Sequence, residues 1–149
     1  MRDYKIIIDT REKRPLSFGN KAQTISTKLD TGDYSMVGYE DKISIEYKSN
    51  TSDWANTCVT ARWKKEVERF KNIEHKYILI NSTRDRLINF PIFEKFSAAT
   101  MKKIRIRGKY MYSLLKKLEQ NDGFKVIFVN SRIEACEQIL EIFDEIYKR

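Results

Sequence analysis

The chain has 149 residues, 41% of them hydrophobic and 34% charged, with 29 Lys or Arg against 21 Asp or Glu. That length and balance suit one domain with a real core and exclude a disordered polar segment. No apolar run approaches the ~18 residues of a membrane span, and the formal charge of +8 favours a polyanionic partner, most often nucleic acid.

In chain order, "YKIIIDT" (4–10) is a run of β-branched residues that predicts a buried strand ending in Asp9. It is too short, and closes in too many charges, to be a signal peptide. A loop follows, broken by Pro15 and Gly19. A second strand is expected over 24–29, and residues 31–48 form a predicted hairpin with arms "YSMVGY" and "KISIEYK" turning at Glu40-Asp41. In the second arm Ile43, Ile45 and Tyr47 alternate with Ser44, Glu46 and Lys48. Period two therefore sets a carboxylate and an ammonium on one face of a strand expected to bury only the other.

From Ser52 the period becomes helical. Val59, Trp63, Val67 and Phe70 recur, Arg62, Glu66 and Arg69 form the neighbouring stripe, and Ser52 or Asp53 is the expected cap. Trp63 is assigned to core packing, and so is Trp54, with stacking on a base as its alternative. A buried strand at 76–82 and a loop with a short helix interrupted by Pro91 come next. A break at Gly108 precedes a helix whose apolar face is Met111, Leu114, Leu115 and Leu118. Another buried strand spans 123–130, and an amphipathic helix with the stripe Ile133, Cys136, Leu140, Phe143 and Tyr147 closes the chain. Strands alternating with helices predict an α/β fold, a central mixed β-sheet flanked by helices in three layers, as a single domain over 1–149.

Cys58 and Cys136 lie far apart without zinc spacing, which suggests buried thiols in a reducing compartment and a cytoplasmic location. His75, the only histidine, is placed at a helix end; this excludes histidine-metal nuclease motifs. The five glycines are isolated, so no ATP-binding phosphate loop is present. The segment 102–117 carries seven Lys or Arg and no acid. Its cations, Lys102, Lys103, Arg105, Arg107 and Lys109 among them, suit either a solvated helical face or a phosphate-contacting surface.

Asp33 opens the first hairpin arm, Glu46 lies in the second, and Asp9 ends the first strand. Carboxylates converging at strand ends make a hard-cation site suited to Mg²⁺ or Mn²⁺. A lysine beside them, Lys48, would orient an attacking water or stabilise charge on phosphoryl oxygens, the chemistry of metal-dependent phosphodiester hydrolysis. Singly these features are ordinary: Glu-x-Lys is common on exposed strand faces, and Gly-Asp in turns. Their conjunction is what distinguishes the chain.

That conjunction resembles the nuclease domain of the XPF family, including its small stand-alone members in phages and mobile elements. The family carries V-D-x-R-E, then G-D, then E-R-K-x-x-x-D. Here stand Ile8-Asp9-Thr10-Arg11-Glu12 followed by "KRPLSF", then Gly32-Asp33, then Glu46-Tyr47-Lys48. The segment "ARWKKEVERF" (61–70) is similar to the arginine-bearing helix after the third motif. The likeness is strong over residues 5 to about 80; beyond that it lies in the strand–helix pattern. The resemblance implies a restriction-endonuclease-like core, DNA as partner, and a homodimer, since relatives often pair through this domain. It implies Asp33 and Glu46 as metal ligands with Asp9 in support, Lys48 as catalytic, Arg11 and Glu12 as residues shaping the site, and Arg62 on a phosphate.

Two departures stand out. Tyr47 replaces the family's arginine, on the strand face opposite Glu46 and Lys48. Asp53 falls one position late, which suits a helix-capping role better than a metal-ligand one. Two function classes follow: a divalent-metal-dependent DNA endonuclease, or a catalytically inactive DNA-binding or regulatory module of the same fold.

Overall fold

The computed structural model describes residues 1–148. Its centre is a six-stranded sheet: β1 (Lys5–Ile8), β2 (Gln23–Ser26), β3 (Tyr34–Met36), β4 (Ile43–Lys48), β5 (His75–Asn81) and β6 (Phe124–Val129), in the spatial order β2-β1-β3-β4-β5-β6. The sheet is mixed. β1 pairs parallel with β2 and antiparallel with β3, β3 pairs antiparallel with β4, and β4, β5 and β6 run parallel. The helices are α1 (Thr51–Thr57), α2 (Ala61–Phe70), α3 (Arg84–Ile88), α4 (Ala98–Lys103), α5 (Gly108–Asn121) and α6 (Arg132–Tyr147). None is long and apolar enough to cross a membrane among the described residues.

Two cores cover the two sheet faces. On one, Ile6, Met36, Ile45, Tyr47 and Leu79 pack against Ile139, Leu140 and Phe143 of α6. On the other, Ile78, Ile80 and Phe124 pack against Trp54, Trp63, Leu87, Met111 and Leu115, from α1, α2, α3 and α5. This is the expected three-layer arrangement. β4 sits in the middle of it, and all six of its residues are buried. The expectation of one buried face therefore fails: a central strand sandwiched by helices buries both. Ile43, Ile45 and Tyr47 enter the α6 core, whereas Glu46 and Lys48 are charges buried on the other side.

Several local expectations are corrected. The second strand is shorter than 24–29 and is an exposed edge. The helix expected from Ser52 is two helices. Asn50 caps α1, accepting from Asp53 N–H at 2.8 Å, and Thr60 caps α2, accepting from Trp63 N–H at 3.1 Å. Val59 falls in the break and is exposed. His75 opens β5 rather than ending a helix. On α6 the buried residues are Ala135, Ile139, Leu140, Ile142, Phe143 and Ile146, while Ile133 points to solvent. Trp54 and Trp63 are both core, packed edge to face with centroids 5.5 Å apart.

Candidate active site

Adjacent strands deliver the acidic residues. The ladder continues past the strand ends: Asp9 N–H donates to Asp33 C=O at 2.9 Å, and Asp33 N–H to Ile45 C=O at 2.8 Å. Residues 9, 33 and 46 are thereby brought side by side. Gly32 makes the close entry to β3 feasible, with φ +79° and no room for a Cβ, which would overlap the Ser44 side chain. Glu66 of α2 clamps the same turn. Its Oε1 accepts from the Thr31 hydroxyl and from Gly32 N–H, both at 2.9 Å, while Arg69 Nη1 donates to Oε2 at 2.9 Å.

Asp33, Glu46 and Lys48 open into a cleft of about 650 Å³, shared with Asp9, Arg11 and Glu12. Arg62, Asp53 and Glu66 border it from the helices. Lys48 Nζ stands 2.8 Å from Glu46 Oε2 and 3.3 Å from Thr57 Oγ1, over the Trp63 ring at 5.7 Å from its centroid. Period two thus has a physical consequence here: the two residues on one face form a buried ion pair. Asp33 Oδ2 accepts from Tyr47 N–H at 2.8 Å. The Tyr47 side chain lies in the opposite core, so its replacement of arginine leaves this backbone support in place.

Burial, reinforced by the neighbouring Glu46 carboxylate, holds the Asp33 carboxyl well above the usual carboxylate range. Burial also raises Glu46, against the opposing pull of Lys48. Burial by itself would lower Lys48, but its ion pair with Glu46 outweighs that and raises it. The ion pair thus favours the ammonium form of Lys48, a cation and hydrogen-bond donor. Glu12 is raised by burial too. The cleft gathers the carboxylates of Asp9, Glu12, Asp33, Glu46, Asp53 and Glu66 against three cations, Arg11, Lys48 and Arg62.

Asp9 is placed differently from the other two carboxylates. Its Oδ1 accepts from Leu29 N–H and its Oδ2 from Arg11 Nε, each at 2.8 Å, and Arg11 Nη2 reaches Leu29 C=O at 2.9 Å. With both oxygens committed, Asp9 anchors the loop that carries Arg11 and Glu12. Accordingly, no group of three or more His, Cys, Asp or Glu side chains is gathered as a metal cage among the described residues. Asp33 and Glu46 each spend one oxygen on the bonds above. They are the pair suited to hold a cation, and the donor set is all oxygen.

Asp53 lies in the first turn of α1, which Asn50 rather than Asp53 caps, and its Oδ2 accepts from Ser49 N–H at 3.0 Å. Lys102, Lys103, Arg105, Arg107 and Lys109 are exposed along α4, the linker and the start of α5, and do not line the cleft. The clamp from Glu66 and the contact from Thr57 were not legible as site features. Glu66 stood out only as an acid on the Arg62 stripe.

A mixed sheet flanked by helices, with a carboxylate pair and a lysine at its strand ends, defines a restriction-endonuclease-like α/β fold. The chain belongs to the ERCC4 domain family, which it matches over residues 8–142. Among solved structures it is similar to XPF from Aeropyrum pernix, with 20% identity and a TM-score of 0.67 over 92% of this chain and 63% of that one. A second structure, XPF from Aeropyrum pernix in complex with DNA, aligns at 19% identity and a TM-score of 0.71 over 97% of this chain and 66% of that one. The chain thus spans about two thirds of the length of these relatives. No curated protein sequence matches it.

Proposed function

We propose that this chain is a divalent-metal-dependent DNA endonuclease. The observation that carries the reading is the convergence of Asp33, Glu46 and protonated Lys48 in one cleft. Family membership supports it, as does the likeness to an XPF whose structure holds DNA. Mg²⁺ or Mn²⁺ fits because two neighbouring carboxylates repel each other and offer hard oxygen donors. Asp33 and Glu46 would hold the ion, with Asp9 keeping the 9–12 loop in place beside them. The ion, when bound, supplies Lewis-acid polarisation of the phosphodiester and lowers the pKa of the attacking water.

The chain's own residues do the remainder. Lys48 offers its ammonium to a phosphoryl oxygen or to the attacking water, held on line by Glu46 and Thr57. Arg62, exposed at the cleft edge, contacts a neighbouring phosphate. Arg11 and Glu12 shape the entrance. The exposed cations from Lys102 to Lys109 would hold the DNA backbone without regard to sequence.

The test is cleavage of labelled single-stranded, duplex, flap and four-way DNA in Mg²⁺, Mn²⁺ or chelator, for wild type and Glu46→Ala. The wild type should cut only with metal, and the variant should lose at least about a hundredfold in rate while keeping its fold by circular dichroism. A variant that cuts normally rejects the assignment. DNA binding with no cutting in any metal points instead to an inactive binding module of the same fold.

A further inference from the structure

The turn after α3 presents two large apolar side chains to water: Ile92 is 70% exposed and Phe93 54%. It is a firmly built turn. Ile92 N–H donates to Asn89 C=O at 2.8 Å and Glu94 N–H to Pro91 C=O at 3.0 Å. Glu94 is pinned from below by Arg86, Nε to Oε2 at 2.7 Å and Nη2 to Oε1 at 3.1 Å. Phe96 packs edge-on against Phe90, centroids 6.1 Å apart. Both aromatic partners inside the turn are thus used for packing, while Ile92 and Phe93 are left outside. An exposed apolar pair on so constrained a turn has a cost in water and no role in this core.

The surroundings say what would cover it. Gly108 N–H donates to Phe90 C=O at 3.1 Å, which seats the start of α5 against this turn. Arg107 and Lys109 flank that contact, and Tyr110 beyond it is 52% exposed. From Lys95 to Tyr110 there are six Lys or Arg and no acid. Two copies of this face would oppose like charges across a two-fold axis, which disfavours self-association. A polyanion with exposed flat apolar faces satisfies both features at once. A duplex hides its base faces, whereas unpaired nucleotides expose them.

We propose that Ile92 and Phe93, with Tyr110 alongside, form a base-stacking patch for unpaired nucleotides whose phosphates run along Arg105, Arg107 and Lys109. The proposal rests on the nucleic-acid reading above, and deepens it by naming single-stranded segments as the substrate feature held here.

The experiment is fluorescence anisotropy in chelator, with single-stranded and duplex DNA of equal length, on wild type, the Ile92→Ser/Phe93→Ser double variant and Phe93→Trp. Both substituted positions are exposed, so thermal unfolding should be unchanged. The double variant should lose roughly tenfold or more in affinity for the single strand and less than about twofold for the duplex. Its salt slope should be unaltered, because no phosphate contact is removed. Phe93→Trp should bind the single strand at least as well as wild type. Equal losses on both DNAs, or no loss on either, would overturn the patch. So would light scattering that shows the double variant dissociating a wild-type dimer while single-strand affinity stays constant. Because no metal is present, failure of the nuclease reading would appear separately, as absent cleavage with this binding difference intact.

Discussion

At the scale of single residues, the cleft is a place where charge is held at a cost. Glu46 is buried and Asp33 beside it half-buried, and each carboxyl is raised above its ordinary range, chiefly by desolvation. Asp33→Asn removes one charge and keeps an oxygen for Tyr47 N–H, so it should stabilise the metal-free protein by on the order of 1 kcal/mol, about 2–4 °C in Tm for a domain of this size. Cleavage should vanish in the same variant. Thermal unfolding in chelator checks the first claim, and an unchanged or lower Tm would show that the carboxylate pair is not strained by repulsion. The positions of Asp33, Glu46 and Lys48 were legible because motif spacing and strand period are local properties. The double engagement of Asp9 was not, because its partner Leu29 N–H lies 20 residues away. The same holds for Glu66, whose target Gly32 is 34 residues distant.

At the scale of elements, two joints carry consequences. Gly108 starts α5 where a Cβ would overlap the backbone carbonyls of Leu87 and Ile88. Backbone cannot yield as a side chain can, so Gly108→Ala should cost about 1–3 kcal/mol despite alanine's better helix propensity. Urea denaturation would reveal it, and a neutral or stabilising result would mean that α3 and α5 slide apart freely. The second joint ties α6 to the sheet. Arg2 forks onto Asp144, Nε to Oδ1 at 2.8 Å and Nη2 to Oδ2 at 2.9 Å, and the Tyr4 hydroxyl donates to Oδ1 at 2.7 Å. These bonds, Arg2's first, hold the Asp144 carboxyl below its usual range. A lowered folded pKa gives stability that is full above the unfolded value, about 4, and is lost as pH falls through the folded one. Asp144→Asn should therefore cost up to about 1 kcal/mol at neutral pH, the site being partly exposed, and converge with wild type in acid; a pH-independent difference would exclude the ionic origin. Elements were legible where periodicity was long. They were misjudged where polar caps intervened, as at Thr60, whose hydroxyl ends one helix reading and starts another.

At the scale of the whole molecule, the order of strands and helices sufficed to expect a layered α/β fold. It did not reveal that β4 lies at the middle of the sheet, because centrality depends on which distant strands pair with it. That placement is what buries Glu46 and Lys48 and gives the cleft its electrostatic character. Charge is divided across the surface in a complementary way: carboxylates crowd the cleft, while the exposed cations of α4, the linker and α5 lie outside it. Under the proposed function, a polyanion would be drawn to the basic segment and would meet the acidic cleft only where a cation screens it. Charge reversal of Lys102, Lys103 and Arg105 to Glu should lower DNA affinity by on the order of tenfold or more at physiological salt, and should reduce the slope of log affinity against log salt by about 2–3. All three side chains are exposed, so folding should survive. Anisotropy titrations across a salt series measure both quantities. Unchanged affinity with an unchanged slope would reject the segment as a phosphate-contacting surface and move the search for DNA contacts to Arg62 and the cleft rim.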